Sequence, residues 1–302
     1  MTVKASARWI ALTAAFWAGA APAGKPATAP LIVAPDQIVT GTFEGKPARY
    51  RMLADGSSTL ILNPQAAQRL GLKAGWIGVG VMIGPVMVNG SSAVGRYAVA
   101  GQPIKHRIAW FDRPIAADAD GALGPAAVPQ AIVTFQLRAA VTGERTYVLP
   151  LTDLGYRGLG TNVSAGDQTI FVQWDLTHAA TSGTAAAGAD LAASHGAQFT
   201  GPTWQELIRL EVRRPVRLLA LTTPLAVGPI RIARVVTRVS DFGDTSGIAD
   251  ADADQSEIVV TAKGQKSRAI HSLRIGRDSM TDCSSITFDK PRAQIILSCR
   301  AG

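Results

Sequence analysis

The sequence predicts an all-β protein folded as two small lobes. Composition, strand-sized apolar runs between turn residues, and a self-similarity along the chain carry that expectation. Hydrophobic residues make up 47% and charged residues 17% of the 302, which excludes a disordered or coiled-coil chain. Thirty glycines and 17 prolines punctuate the chain while aromatics reach only 6%, a pattern of many short strands and turns. The length suits two compact units. The formal charge of +8 is spread along the chain with no basic block interleaved with stacking aromatics, so nucleic acid is not an expected partner.

The first residues read as targeting. Lys4 and Arg8 precede an apolar run from Trp9 to Ala21 that is too short to span a bilayer. Ala21-Pro22-Ala23 places small residues where a signal peptidase reads, so residues 1–23 are expected to be a signal peptide cleaved after Ala23. The alternative, a buried N-terminal helix, is opposed by Pro22 and Pro26. No later stretch is long and apolar enough for a span. The expectation is therefore a periplasmic or secreted monomer with no membrane span after cleavage. Residues 24–37 follow as a linker, of which 24–35 also suits an edge strand.

Self-comparison supplies the domain organisation. At an offset of 121, Gly45 falls on Gly166, Tyr50 on Phe171, Ala66 on Ala187 and Leu70 on Leu191. At 144, Gly84-Pro85-Val86 meets Gly228-Pro229-Ile230. At 152, Gly124 meets Gly276, and at 153, Val133-Thr134-Phe135 meets Ile286-Thr287-Phe288. The offset only increases, as two copies with insertions in the second would require. The expected lobes are 38–151 and 160–302, joined by 152–159, each with one short helix, 64–72 and 185–194. An exposed insertion covers 243–267, opening with Asp250, Asp252, Asp254 and Glu257 and turning basic at Lys263, Lys266 and Arg268. Within it, Glu257-Ile258-Val259-Val260-Thr261-Ala262 resembles the segment preceding the plug of many TonB-dependent receptors; an edge strand explains it equally well.

Cys283 and Cys299 bracket two apolar runs with Lys290-Pro291-Arg292 between them, which reads as a hairpin turning near Pro291. Both cysteines lie eight residues from position 291, so they should face each other and, after export, form a disulfide.

The run from Tyr50 through Ala54-Asp55-Gly56-Ser57-Ser58 to Leu62, followed by Ala67-Gln68-Arg69-Leu70-Gly71-Leu72, resembles the active-site segment of retropepsin-like aspartic peptidases, in the pepsin superfamily. Ala119-Asp120-Gly121-Ala122-Leu123-Gly124 is similar to that family's second signature. Ile275-Gly276-Arg277-Asp278-Ser279-Met280 with the cysteine hairpin resembles the end of such a domain. The resemblance implies two retropepsin-like β-barrel lobes facing each other across a cleft, in the exported bacterial type, with degenerate motifs and no cofactor.

Aspartic proteolysis needs two carboxylates sharing one proton, one acting as base toward water and the other as acid. At the offset of 121, Asp175 falls on Ala54, and each lobe lacks a different part of the Asp-Thr-Gly motif. A one-residue deletion would instead make Asp55 and Asp175 the dyad, although side chains alternate along a strand and the shift turns Asp55 away unless the loop bends. Asp55 is also ordinary turn chemistry, and Asp175 an ordinary strand-end carboxylate.

The histidines, His106, His178, His195 and His271, show no metal-ligand spacing. His178 reads as a loop residue able to contact Asp175. Gly78-Val79-Gly80-Val81 reads as strand punctuation. Arg213-Arg214-Pro215-Val216-Arg217 reads as a solvated strand edge or loop. Three functions follow from the sequence: a degenerate peptidase that binds extended peptides in its inter-lobe groove, an active endopeptidase using Asp55 and Asp175, and an envelope adaptor docking through 243–267. In each the partner is a peptide or protein.

Overall fold

A computed structural model describes residues 29–35, 37–241 and 269–300. The expected signal peptide 1–23 and the insertion 243–267 lie outside the described residues. The described residues begin with β1 (Leu31–Val33) and then build a first lobe from β2 (Ile38–Phe43), β3 (Lys46–Met52), β4 (Leu60–Leu62), β5 (Gly78–Ile83), β6 (Val86–Val99), β7 (Gln102–Phe111) and β8 (Gly121–Leu123). Strands β9 (Ile132–Gln136) and β10 (Glu144–Pro150) leave that lobe. The second lobe contains β11 (Thr152–Asp153), β12 (Leu159–Ala165), β13 (Gln168–Trp174), β14 (Ser182–Gly183), β15 (Gln198–Arg209), β16 (Val212–Val227), β17 (Ile230–Arg238) and β18 (Ser272–Ile275). The hairpin β19 (Cys283–Asp289) and β20 (Gln294–Arg300) closes the chain.

The fold is all-β and two-lobed. The first sheet runs β2-β3-β8-β4-β7-β6-β5, and the second runs β11-β12-β13-β18-β14-β17-β16-β15. Their pairing follows one pattern. β3 lies parallel to β8 as β13 does to β18, and β4 lies between β8 and β7 as β14 does between β18 and β17. Each short central strand is followed by a helix, α1 (Pro64–Arg69) or α2 (Ala185–His195). α2 starts at Thr184, whose hydroxyl accepts the Ala187 N–H at 3.2 Å, and it ends at Gly196 with φ 61°.

A third sheet, β1-β9-β19-β20-β10, joins the lobes. The 24–35 segment thus supplies its edge strand. β10, expected within 38–151, pairs along its length with β20. At the middle of this sheet Thr134 faces Thr287, with their hydroxyl oxygens 2.8 Å apart. Phe135, Phe288 and Trp174 pack edge-to-face, Phe288 lying 6.2 Å from each of the others, so one aromatic stack reaches from the bridge into the second lobe. Lys290 in the last turn donates to the carbonyls of Pro125 and Val128 at 3.0 and 2.7 Å, and burial lowers its pKa to about 8.

Cys283 faces Cys299 across β19 and β20, and the two form the expected disulfide. The Gly84-Pro85 and Gly228-Pro229 match does not join equivalent places. The first turns β5 into β6, whereas the second turns β16 into β17. Gly84 and Gly228 have φ of 60° and 59°, so shared turn chemistry accounts for the likeness. The counterpart of the β5–β6 tip is the β15–β16 tip, Leu210-Glu211.

Candidate active site at the lobe junction

β3 and β13 each run into a loop at the contact between the lobes. Strand register fixes how the loops correspond. Leu53 N–H donates to Leu123 O and Asp175 N–H to Ile275 O, both at 2.9 Å. Leu123 and Ile275 each immediately precede the glycine, Gly124 or Gly276, that starts a 3-10 turn. Leu53, not Ala54, therefore occupies the strand position of Asp175, and the expected Ala54 correspondence is corrected. The first loop is the longer: eight residues separate Met52 from Ile61, and seven separate Trp174 from Ser182. Counting at a single offset cannot register such a bulge.

Within the longer loop Asp55 regains the local geometry of Asp175. Asp55 Oδ1 accepts the Ser57 N–H at 3.0 Å, and Asp175 Oδ1 accepts the Thr177 N–H at 3.1 Å. Asp55 is buried at 6% exposure and Ala54 at 3%. Gly56 is required by the approach of the other lobe. Its φ is 68°, its carbonyl accepts the Leu159 N–H at 3.0 Å, and an added Cβ would lie 2.3 Å from Leu159 O. Gln173 crosses the same contact, donating to the carbonyl of Asp55 and, at 2.9 Å, to that of Arg157.

Cations surround both carboxylates. Arg209 Nη1, at the end of β15, lies 3.6 Å from Asp55 Oδ2, and the charge of Asp175 also acts on this guanidinium. Burial lowers the Arg209 pKa, and the two carboxylates oppose that shift. Arg274 Nη1 lies 3.7 Å from Asp175 Oδ2, and His178 Nδ1 lies 3.0 Å from the same oxygen. Burial would raise the Asp175 pKa. The His178 hydrogen bond, the Arg274 charge and the Thr177 hydroxyl outweigh it and hold the carboxyl well below its ordinary range. Asp175 in turn raises the His178 pKa, with the Leu207 carbonyl acting in the same direction against burial. Among the described residues no hydrogen bond joins Asp55 to Asp175, and no group of three or more His, Cys, Asp or Glu is placed to hold a metal.

The β15–β16 tip also carries apolar contacts. Leu210 and Val212, at 3% and 4% exposure, pack with Ile61, Ile83, Val88, Ala109 and Phe111 of the first lobe, and Ile208 lies against the same group. The tip of the second lobe's hairpin thus packs against the β5–β6 hairpin and the neighbouring strands of the first lobe. In the basic cluster, expected to be solvated, Arg214 is buried at 5% exposure and donates to Ser240 O at 3.1 Å, while Arg217 stacks 5.6 Å from the Phe199 ring.

Sequence reading named Asp55, Asp175 and the His178 contact. It missed Arg209, Arg274 and Gln173, which lie in ordinary strand patterns and reach the junction through pairing distant in sequence. No family model matches the chain, and no curated protein matches it. Among solved structures it is similar to an aspartic proteinase from Irpex lacteus, at 13% identity and a TM-score of 0.43, over 88% of this chain and 95% of that one.

Proposed function

We propose that this chain is an exported, non-catalytic protein of aspartic-peptidase-like fold that binds extended peptide at the junction of its lobes. One observation carries the reading: each carboxylate has its own cation, Arg209 beside Asp55 and Arg274 with His178 beside Asp175, and among the described residues no hydrogen bond joins the two. A peptidase dyad works because two adjacent carboxylates cannot both ionise, so one keeps a proton to donate. Separate cations at the two carboxylates work against such a shared proton. With Asp175 held below its ordinary range, it is not left as the acid at mildly acidic pH. Peptide would instead be held by backbone pairing and side-chain pockets.

The second reading, an active endopeptidase, draws support from the matched hydrogen bonds of Asp55 to Ser57 and Asp175 to Thr177. The two are separated by incubating the folded chain lacking residues 1–23 with a diverse peptide library from about pH 3 to 7. No cleavage is expected. Cleavage lost in Asp175→Asn and blocked by a statine-type inhibitor would overturn the proposal in favour of a working dyad. Capture of an envelope protein that requires residues 243–267 and ignores junction mutations would favour the adaptor.

A further inference from the structure

The junction already holds a peptide segment, and it belongs to the chain itself. Ile208-Arg209-Leu210-Glu211-Val212 sets a cation beside Asp55 and two aliphatic side chains among Ile61, Ile83, Val88, Ala109 and Phe111. Three features mark this occupancy as exchangeable. At 3.6 Å the Arg209–Asp55 contact is longer than a charge-assisted hydrogen bond, and Arg209 Nη2 is buried with no partner among the described residues. Leu210 and Glu211 both hold left-handed backbone, φ 48° and 57°, in a two-residue hairpin turn that favours Asn-Gly. β15 is the edge strand of its sheet, paired to β16, and most of its residues are exposed.

We propose that the β15–β16 tip is an intramolecular mimic of the ligand. The peptide this protein takes then carries, at a turn closing its extended run, a basic residue followed by an aliphatic one, the base going to Asp55 and the aliphatic group to the Ile61, Ile83 and Phe111 side chains once the tip withdraws. This rests on the peptide-binding reading above. A free peptide competes with the tip, so apparent affinity scales with the fraction of molecules whose tip is out.

The probe is a fluorescein-labelled peptide of residues 205–212, Gln-Glu-Leu-Ile-Arg-Leu-Glu-Val, with a second in which norleucine replaces its Arg. Binding is followed by anisotropy on the chain lacking residues 1–23, as wild type, Arg209→Ala and Leu210→Ala, each checked for native near-UV circular dichroism. Both variants are expected to bind the Arg probe at least tenfold more tightly than wild type, and the norleucine probe to lose most of that gain. Adding Asp55→Asn to Leu210→Ala should abolish the preference for Arg. Glu211→Gly keeps both anchoring side chains while relaxing the turn, and is expected to bind the probe more weakly than wild type. Equal affinity across these proteins, no discrimination between the probes, or no binding at all would overturn the proposal. Mass spectrometry of the same samples separates the two levels. Probe cut in an Asp175-dependent manner refutes the non-catalytic reading and leaves the Arg-aliphatic preference to be judged by affinity. Intact probe bound without regard to the tip refutes only the mimic.

Discussion

Leu210 and Glu211 are neighbours with nearly the same backbone, yet the same substitution should move stability in opposite directions. Their φ values are 48° and 57°, Glu211 is exposed, and Leu210 is 3% exposed within the apolar group of the first lobe. Left-handed backbone costs a residue with a Cβ about 1–2 kcal/mol. Glycine returns that but costs about 0.5–1 kcal/mol of unfolded-chain entropy. With no buried side chain to lose, Glu211→Gly should stabilise the protein by about 0.5–1 kcal/mol. Leu210→Gly gains the same relief, but loses about 3 kcal/mol for a buried leucine and its cavity and about 0.8 kcal/mol for the last methyl. Its net effect is a loss of about 3 kcal/mol. Urea unfolding followed by tryptophan fluorescence measures both, with the m-value checked for constancy. A neutral or stabilising Leu210→Gly would show that the leucine does not insert between the lobes. A destabilising Glu211→Gly would remove the strain from the account of the tip.

Removing the disulfide as Cys283→Ser/Cys299→Ser should cost about 3 kcal/mol for a loop of this size, read from the urea midpoint, and a loss under about 1 kcal/mol would show that the hairpin is equally constrained without it. Thr134→Val and Thr287→Val should each cost about 1 kcal/mol or more, because each leaves the other hydroxyl without its partner. The double variant should cost less than their sum, and strict additivity in a double-mutant cycle would remove the hydrogen bond at the bridge. The Asp175–His178 pair sets a pH window. The raised His178 pKa gives stability that is complete below about pH 6.5 and fades as pH rises through its folded value. The lowered Asp175 pKa gives stability that is complete above about pH 4 and fades as acid is added. Tm against pH should peak between those limits, and His178→Asn should flatten the alkaline side. An unchanged profile would show that His178 does not hold Asp175.

Much of the architecture was legible because it depends on local chemistry. Strand-length apolar runs between glycines and prolines announced an all-β chain. The place of Cys283 and Cys299 on either side of Pro291 announced a hairpin and its disulfide, since spacing across one turn sets which residues face each other. Asp55 and Asp175 stood out because the residues around them resemble the Asp-Thr-Gly segment of aspartic peptidases; the structure shows that each opens an i to i+2 hydrogen-bond turn.

Tertiary structure decided the rest. The correspondence of Asp175 with Leu53, and the place of Asp55 two residues further along the longer loop, depend on which carbonyl each strand end meets. A fixed offset cannot show this. For the same reason Gly84-Pro85 and Gly228-Pro229 misled: a tight turn constrains its residues wherever it occurs, so similarity between turns says nothing about which strands they join. Arg209 is the clearest case. Its place at the end of an edge strand looks unremarkable in one dimension. Only the length and bend of the β15–β16 hairpin carry that charge from its own lobe to within 3.6 Å of Asp55 of the other.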